Sequence, residues 1–143
     1  MARTYKSFDD VYTLFMDTTR VDSFQLPQTP QGMYALLEHG IDQYMTFFDN
    51  AKEVDFDRDT EMLSVELDKN DAMLITGYMR LKIFQKLNDE FVSTYDVLVD
   101  DIGIRNYKSQ ADARQNLIEA QKREIEAMLL KMSEDFDVID DIV

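Results

Sequence analysis

The chain has no cysteine and no tryptophan, one histidine, two prolines and four glycines among its 143 residues. Without cysteine there is no disulfide, no thiolate zinc site and no cysteine nucleophile, and the composition leans towards a reducing compartment. The glycines are scattered, so no loop of closely spaced glycines exists to cradle a phosphate. No apolar run approaches the roughly 18 residues that span a bilayer, and the opening MARTYKSFDD lacks the apolar segment of a signal peptide. We therefore expect no membrane contact and a protein that is soluble and intracellular where it is made. Basic residues are also scarce: 15 Lys and Arg against 29 Asp and Glu give a formal net charge of −14. Wrapping nucleic acid needs clustered cations and is excluded, whereas an acidic surface suits the wall of a channel through which DNA slides without sticking.

The stretch Asn70 to Phe91 organises the rest. Met73, Leu74, Ile75, Tyr78, Met79, Leu81, Ile83, Phe84, Leu87 and Phe91 would make a helix apolar round most of its circumference, which requires neighbours on several sides. This is the expected central helix of a bundle, with Asn70 as N-cap and Asp71 in the positive first turn.

A short first helix is expected over 5–18, with Ser7 as a candidate cap and Asp9 and Asp10 in its first turn. The segment 19–29 contains Pro27 and precedes Pro30, so it reads as an extended connector. Thr29 and Pro30 have the chemistry of an N-cap and first helical position. Met33, Leu36, Leu37, Ile41, Tyr44, Met45 and Phe48 then follow at three- and four-residue steps, predicting an amphipathic helix over about 30–48 in which Gly40 marks close packing or a bend. After the central helix, in 92–109, Val97, Leu98, Val99, Ile102 and Ile104 make an apolar stretch broken by Asp100, Asp101 and Gly103, so the helix runs on to about 98 or gives way to a loop. Asp100 and Asp101 there have no histidine nearby and read as solvated turn residues. Ser109 is the expected cap of a last helix over about 109–132, whose stripe includes Leu117, Ile118, Ile125, Met128, Leu129 and Met132.

Between the second and central helices, Val54 and Phe56 alternate with acids, and Leu63, Val65 and Leu67 alternate with Ser64 and Glu66. That pattern predicts a small β-hairpin or extended arm near 52–67. The same segment supports a competing chemistry. Asp55, Asp57 and Asp59, with Glu66 eleven residues after the first, match the ligand spacing of an EF-hand calcium loop, in which converging carboxylates supply the oxygens. Thr60 stands where such a loop needs glycine for its sharp turn, so the hairpin is the favoured reading.

The final segment, SEDFDVIDDIV, alternates acids with Phe136, Val138, Ile139, Ile142 and Val143. A merely solvated tail has no use for so many large apolar side chains. We read residues 133–143 as an extended, partner-binding arm beside a helical domain over 1–132. The fold expected is thus mainly α: an antiparallel bundle of about four helices with a small β-hairpin or arm and an extended C-terminal arm.

No catalytic constellation is present and nothing pairs a base with a nucleophile, so an enzyme is not expected, nor a cofactor. His39, on the second helix among Leu36, Leu37 and Ile41, reads as structural or surface. The methionines fall at helical spacing and read as core.

The order of parts resembles the small helical head-to-tail connector (neck or adaptor) proteins of tailed bacteriophages. Three stretches carry the likeness, over about residues 60–143: MLSVELDKNDAMLITGYMRLKIFQKL, an arm leading into a capped apolar helix; DIGIRNYKSQADARQNLIEAQKREIEAML, a polar crossover and long helix; and the acidic-apolar terminal arm. The resemblance implies a homo-oligomeric ring in the virion neck, assembled from subunits made in the host cytoplasm. It also implies portal and tail-side neck proteins as partners, DNA only as passing cargo, and no catalytic residues. A calcium module using 55–66 and an acidic DNA mimic that inhibits a nucleic-acid enzyme stand as alternatives.

Overall fold

In the computed structural model, residues 3–102 and 104–142 are described, with side chains described for 3–93 and 108–132. The elements follow in the order β1 (Tyr5–Ser7), α1 (Phe8–Thr18), a 3₁₀ turn (Ser23–Gln25), α2 (Pro30–Phe47), β2 (Phe56–Asp57), β3 (Met62–Leu67), α3 (Lys69–Ile102) and α4 (Ile104–Ile142). Among the described residues the protein is thus four α-helices with a small three-stranded antiparallel sheet, as the hydrophobic pattern predicts.

Local chemistry explains most of the boundaries. Ser7 Oγ accepts from the Asp10 N–H at 3.1 Å, and the Ser7 N–H donates back to Asp10 Oδ2 at 3.4 Å, forming a reciprocal cap on α1. Thr29 Oγ1 accepts from the Gly32 N–H at 3.1 Å, with Pro30 in the first turn of α2. The cap of α3 differs from expectation. Asp68, not Asn70, accepts the Asp71 N–H at 2.8 Å, because the helix begins two residues earlier than an Asn70 cap implies, at Lys69.

The sheet order is β1-β3-β2. The 52–67 hairpin forms, pairing Phe56 with Leu63 and Asp57 with Met62. Its third strand, β1, pairs Tyr5 with Leu67 and Ser7 with Met62, so Tyr5 to Ser7 form a strand rather than the start of the helix expected from residue 5. Three residues are too few to show a period-two pattern, so β1 is defined by its partner strand. Glu61, at φ 58°, turns the hairpin, and its carbonyl accepts the Phe8 N–H at 2.8 Å, joining the sheet to α1.

α3 is the centre, packed against α1, α2 and α4. Its Ala72, Leu74, Ile75, Tyr78, Met79 and Ile83 are buried in one core with Val11, Phe15, Leu37, Ile41 and Tyr44. Glycines set the seams. A Cβ on Gly40 would lie 2.8 Å from the Ile75 carbonyl oxygen, so the close packing anticipated there is real. On the opposite side the Gly77 carbonyl accepts a hydrogen bond from Gln121 Nε2 at 3.3 Å. With Arg114 stacked over Phe91 at 4.6 Å, these contacts show that α3 and α4 run antiparallel.

Two boundaries differ from the sequence reading. The crossover expected over 92–108 is helical on both sides of residue 103, with α4 starting at Ile104, so Ser109 is interior rather than a cap. The arm expected to be extended over 133–143 is helical in backbone through Ile142. Phe136, Ile139 and Ile142 recur at three-residue steps, and Val138 and Ile142 at four, a spacing that fits a helix as well as a strand. Extending an established helix also costs far less than nucleating a new element.

Candidate functional site

The calcium ligands of the sequence reading are not brought together. Asp57 Oδ1 accepts the Asp59 N–H at 2.9 Å in a local turn, and the Asp55 N–H donates to Ser64 Oγ at 2.9 Å across the hairpin. Glu66 lies along β3, far past the turn in the ladder, and among the described residues no group of three or more His, Asp or Glu side chains could hold a metal ion. An EF-hand loop instead folds its carboxylates at positions 1, 3, 5 and 12 onto one point.

His39 is half-buried on α2. Burial lowers its pKa first, the Lys82 ammonium lowers it further, and Asp42 pulls the other way. The Asp100–Asp101 pair and the partner-binding residues Phe136, Val138, Ile139, Ile142 and Val143 lie outside the residues whose side chains are described.

Two polar clusters that the sequence did not single out stand out in the fold. In the first, fully buried Tyr44 donates to Asp71 Oδ1 at 2.9 Å and accepts the Lys52 N–H at 3.0 Å, while Lys52 Nζ stands 3.0 Å from Asp71 Oδ2. Burial, above all, pushes the Tyr44 phenol well above its ordinary value. The cluster ties α2, the following loop and the start of α3 together, and its groups are matched to one another, so it holds structure.

The second cluster is not matched. Arg80 comes from the middle of α3 and is 5 % exposed. Its Nη2 donates to Thr18 Oγ1 at 2.9 Å, but Nε and Nη1 are buried without a hydrogen-bond partner. Burial lowers its pKa, partly countered by the negative field of Glu124. A buried guanidinium without a compensating anion is costly; breaking such a pair typically loses about 3–5 kcal/mol. Arg80 lines a cleft of about 440 Å³ between the α1–α2 connector, α3 and α4, together with Arg20, Arg114, Phe84, Leu117 and Glu124. A neighbouring cleft of about 460 Å³ shares Gln25, Leu87 and Arg114 with it. Cations therefore converge in an otherwise acidic protein. A partial signal was available: an arginine between Met79 and Leu81, in a helix apolar round most of its circumference, is a candidate for an interface.

Along α4, Ile118, Ile125 and Met132 of the expected stripe are buried at a seven-residue step and Gln121 is buried beside them, whereas Leu117, which the sequence puts in that stripe, faces out. Leu117 and Leu130 are 53 % and 63 % exposed. No helix among the described residues is long and apolar enough to cross a membrane.

Comparison with known proteins places these features in context. The profile of a family described as "YomZ prophage protein" matches residues 5–134. A relative from Bacillus subtilis (strain 168), the "SPbeta prophage-derived uncharacterized protein YomZ", is 24% identical over 131 residues, covering 91% of this chain and 98% of the relative. No solved structure matches.

Proposed function

The chain belongs to the YomZ prophage protein family, and from that premise we propose that it is a structural assembly protein, a ring-forming head-to-tail connector subunit that docks on portal or tail proteins through α4 and residues 133–143. The observation that supports this most is the reach of the α3–α4 pair. α3 and α4 have 34 and 39 residues against 18 in α2. At 1.5 Å per residue α4 is about 58 Å long and α2 about 27 Å, so the pair outreaches the body it is anchored to. A helical pair of that length, carrying exposed Leu117 and Leu130, offers neighbours a surface that its own fold does not cover. The charge of −14 suits a channel wall that repels a passing DNA backbone. The protein acts by assembly rather than by catalysis.

The test is the solution mass of the purified chain by light scattering, alone and with a phage portal protein. A closed ring, or a chain that joins a ring on the portal, is the expected result. Deleting residues 133–143 should abolish assembly while leaving the helical circular-dichroism signal of the body intact. A strictly monomeric chain that ignores the portal and binds a basic nucleic-acid enzyme in a salt-sensitive way would replace this reading with the acidic DNA mimic.

A further inference from the structure

We infer that the Arg80 cleft is a carboxylate-binding groove whose occupant is the acidic-apolar segment 133–143 of a second copy of this chain. Three observations carry it. Arg80 is buried with two of its guanidinium nitrogens unpaired, a state that an incoming carboxylate would complete with charge-assisted hydrogen bonds. Arg20, which is exposed, and Arg114 line the same cleft, so its cationic character does not rest on one side chain. The remaining wall is apolar, with Val21, Phe84, Leu87 and Leu117, and therefore suits a ligand that alternates acids with large apolar residues rather than a bare anion.

Within this sequence that description fits 133–143, where Glu134, Asp135, Asp137, Asp140 and Asp141 are interleaved with Phe136, Val138, Ile139, Ile142 and Val143. A polyanion such as DNA fits less well, because it offers no large apolar side chains to the wall formed by Val21, Phe84, Leu87 and Leu117. Two carboxylates already stand nearby, Glu124 in this cleft and Glu90 in the adjoining one, and neither hydrogen-bonds Nε or Nη1 of Arg80. Both nitrogens are covered, so access requires a side chain to swing aside. Exposed Leu117 and half-buried Phe84 line the same cleft, and their rotation leaves the backbone in place.

The inference deepens the assembly reading by naming where the terminal segment docks. Its test is fluorescence anisotropy of a labelled peptide with the sequence of residues 133–143, titrated with the full-length protein. We expect saturable binding that weakens with salt. Loss of a charge-assisted hydrogen bond in Arg80→Met should weaken it by about tenfold or more. Arg20→Gln and Arg114→Gln, which spare the core, should each weaken it severalfold, so the idea stays testable if Arg80→Met fails to fold. Glu124→Gln should strengthen binding, because it removes a competing carboxylate. A peptide with its acids replaced by amides should not bind.

Binding indifferent to all three arginine substitutions would overturn the inference. So would a Glu124→Gln protein that is destabilised and binds no peptide, since Arg80 would then be paired within its own chain. Absence of peptide binding, with saturable calorimetric binding of inorganic phosphate that Arg80→Met removes, would make the cleft a small-anion site and overturn it too. The two readings fail separately: a ring of unchanged mass in Arg20→Gln/Arg114→Gln protein sinks the cleft alone, whereas peptide binding by a chain that never assembles sinks the ring and leaves the cleft.

Discussion

Gly40 faces Ile75 so closely across the α2–α3 seam that a Cβ built on the glycine would lie 2.8 Å from the Ile75 carbonyl oxygen and 2.7 Å from Met79 Cγ. The methionine can rotate, but the carbonyl belongs to the backbone of the central helix and cannot. Gly40→Ala should therefore push α2 off α3, costing about 1–3 kcal/mol from overpacking, partly offset by the roughly 1 kcal/mol that alanine gains over glycine in a helix. Gly77→Ala is the matched control on the other seam. Its Cβ would meet side-chain atoms, Met128 Cε at 3.2 Å, Ile125 Cγ1 at 3.3 Å and Gln121 Nε2 at 3.4 Å, which can yield by small rotations. Urea denaturation should show a lower midpoint for Gly40→Ala and little change for Gly77→Ala. Equal effects would mean that the seams are not asymmetric.

The Tyr44 hydroxyl joins three segments, so removing it leaves Asp71 Oδ1 and the Lys52 N–H without their partner. Tyr44→Phe should cost about 1–3 kcal/mol, the usual penalty for stranding buried polar groups. It should also change the alkaline limb of stability. Burial first, then the nearby Asp71, raises the phenol's pKa above its ordinary 10.0, while the Lys52 N–H opposes the shift. The folded protein thus holds this proton at a pH where the unfolded chain releases it. Stability is unaffected by this group below pH 10 and falls as pH rises above it. Tyr12, Tyr34 and Tyr78 shift in the same direction, so the informative quantity is the difference between wild type and Tyr44→Phe. The fall should be shallower in the variant, measured by urea titration from pH 9 to about pH 11.

Calcium should do nothing to this fold. The carboxylates of Asp55, Asp57, Asp59 and Glu66 are strung along a hairpin, and the Asp57 carboxylate is already used in a turn. Calcium binding requires six to eight oxygens converging at about 2.3–2.6 Å, which the ladder forbids without unpairing. We expect no shift in thermal midpoint with millimolar calcium, and none in Glu66→Gln with or without it. A calcium-dependent rise that disappears in Glu66→Gln would restore the loop as a metal site.

The features that follow from local chemistry could be read in the sequence. Ser7 and Thr29 cap the helices they were expected to cap, because a hydroxyl three residues before a free N–H is recognisable in one dimension. The central place of α3 followed from its apolar circumference. The pairing of Tyr5 with Leu67 was not legible, since a three-residue strand is specified by a partner some sixty positions away. The spacing of Asp55 to Glu66 is common to a calcium loop and to a polar hairpin edge, and Thr60 in the place of the loop's glycine already favoured the hairpin that forms. Arg80 was visible as an anomaly but not as a site. Its isolation depends on α1 ending at Thr18 and on α4 presenting Gln121 and Glu124, and neither placement can be read from α3.

His39 is the sequence's single histidine, so its titration can be isolated from every other group of its kind. It sits half-buried on α2, with burial and then Lys82 of α3 lowering its pKa from 6.5 and Asp42 of its own helix raising it. For a base whose folded pKa is depressed, the unfolded chain takes up the proton first as pH falls. Protonation therefore favours unfolding, and stability drops as pH passes below 6.5, levelling off beneath the lower folded value. In His39→Gln this component is absent, because the amide does not titrate. The urea midpoints of wild type and variant, measured in parallel from neutral pH downwards, should diverge below 6.5 with the variant the more resistant. Replacing Lys82 by Gln should narrow that divergence, since it removes the cation that adds to burial. Parallel curves for wild type and His39→Gln would mean that the imidazole is as free to protonate in the fold as in the unfolded chain.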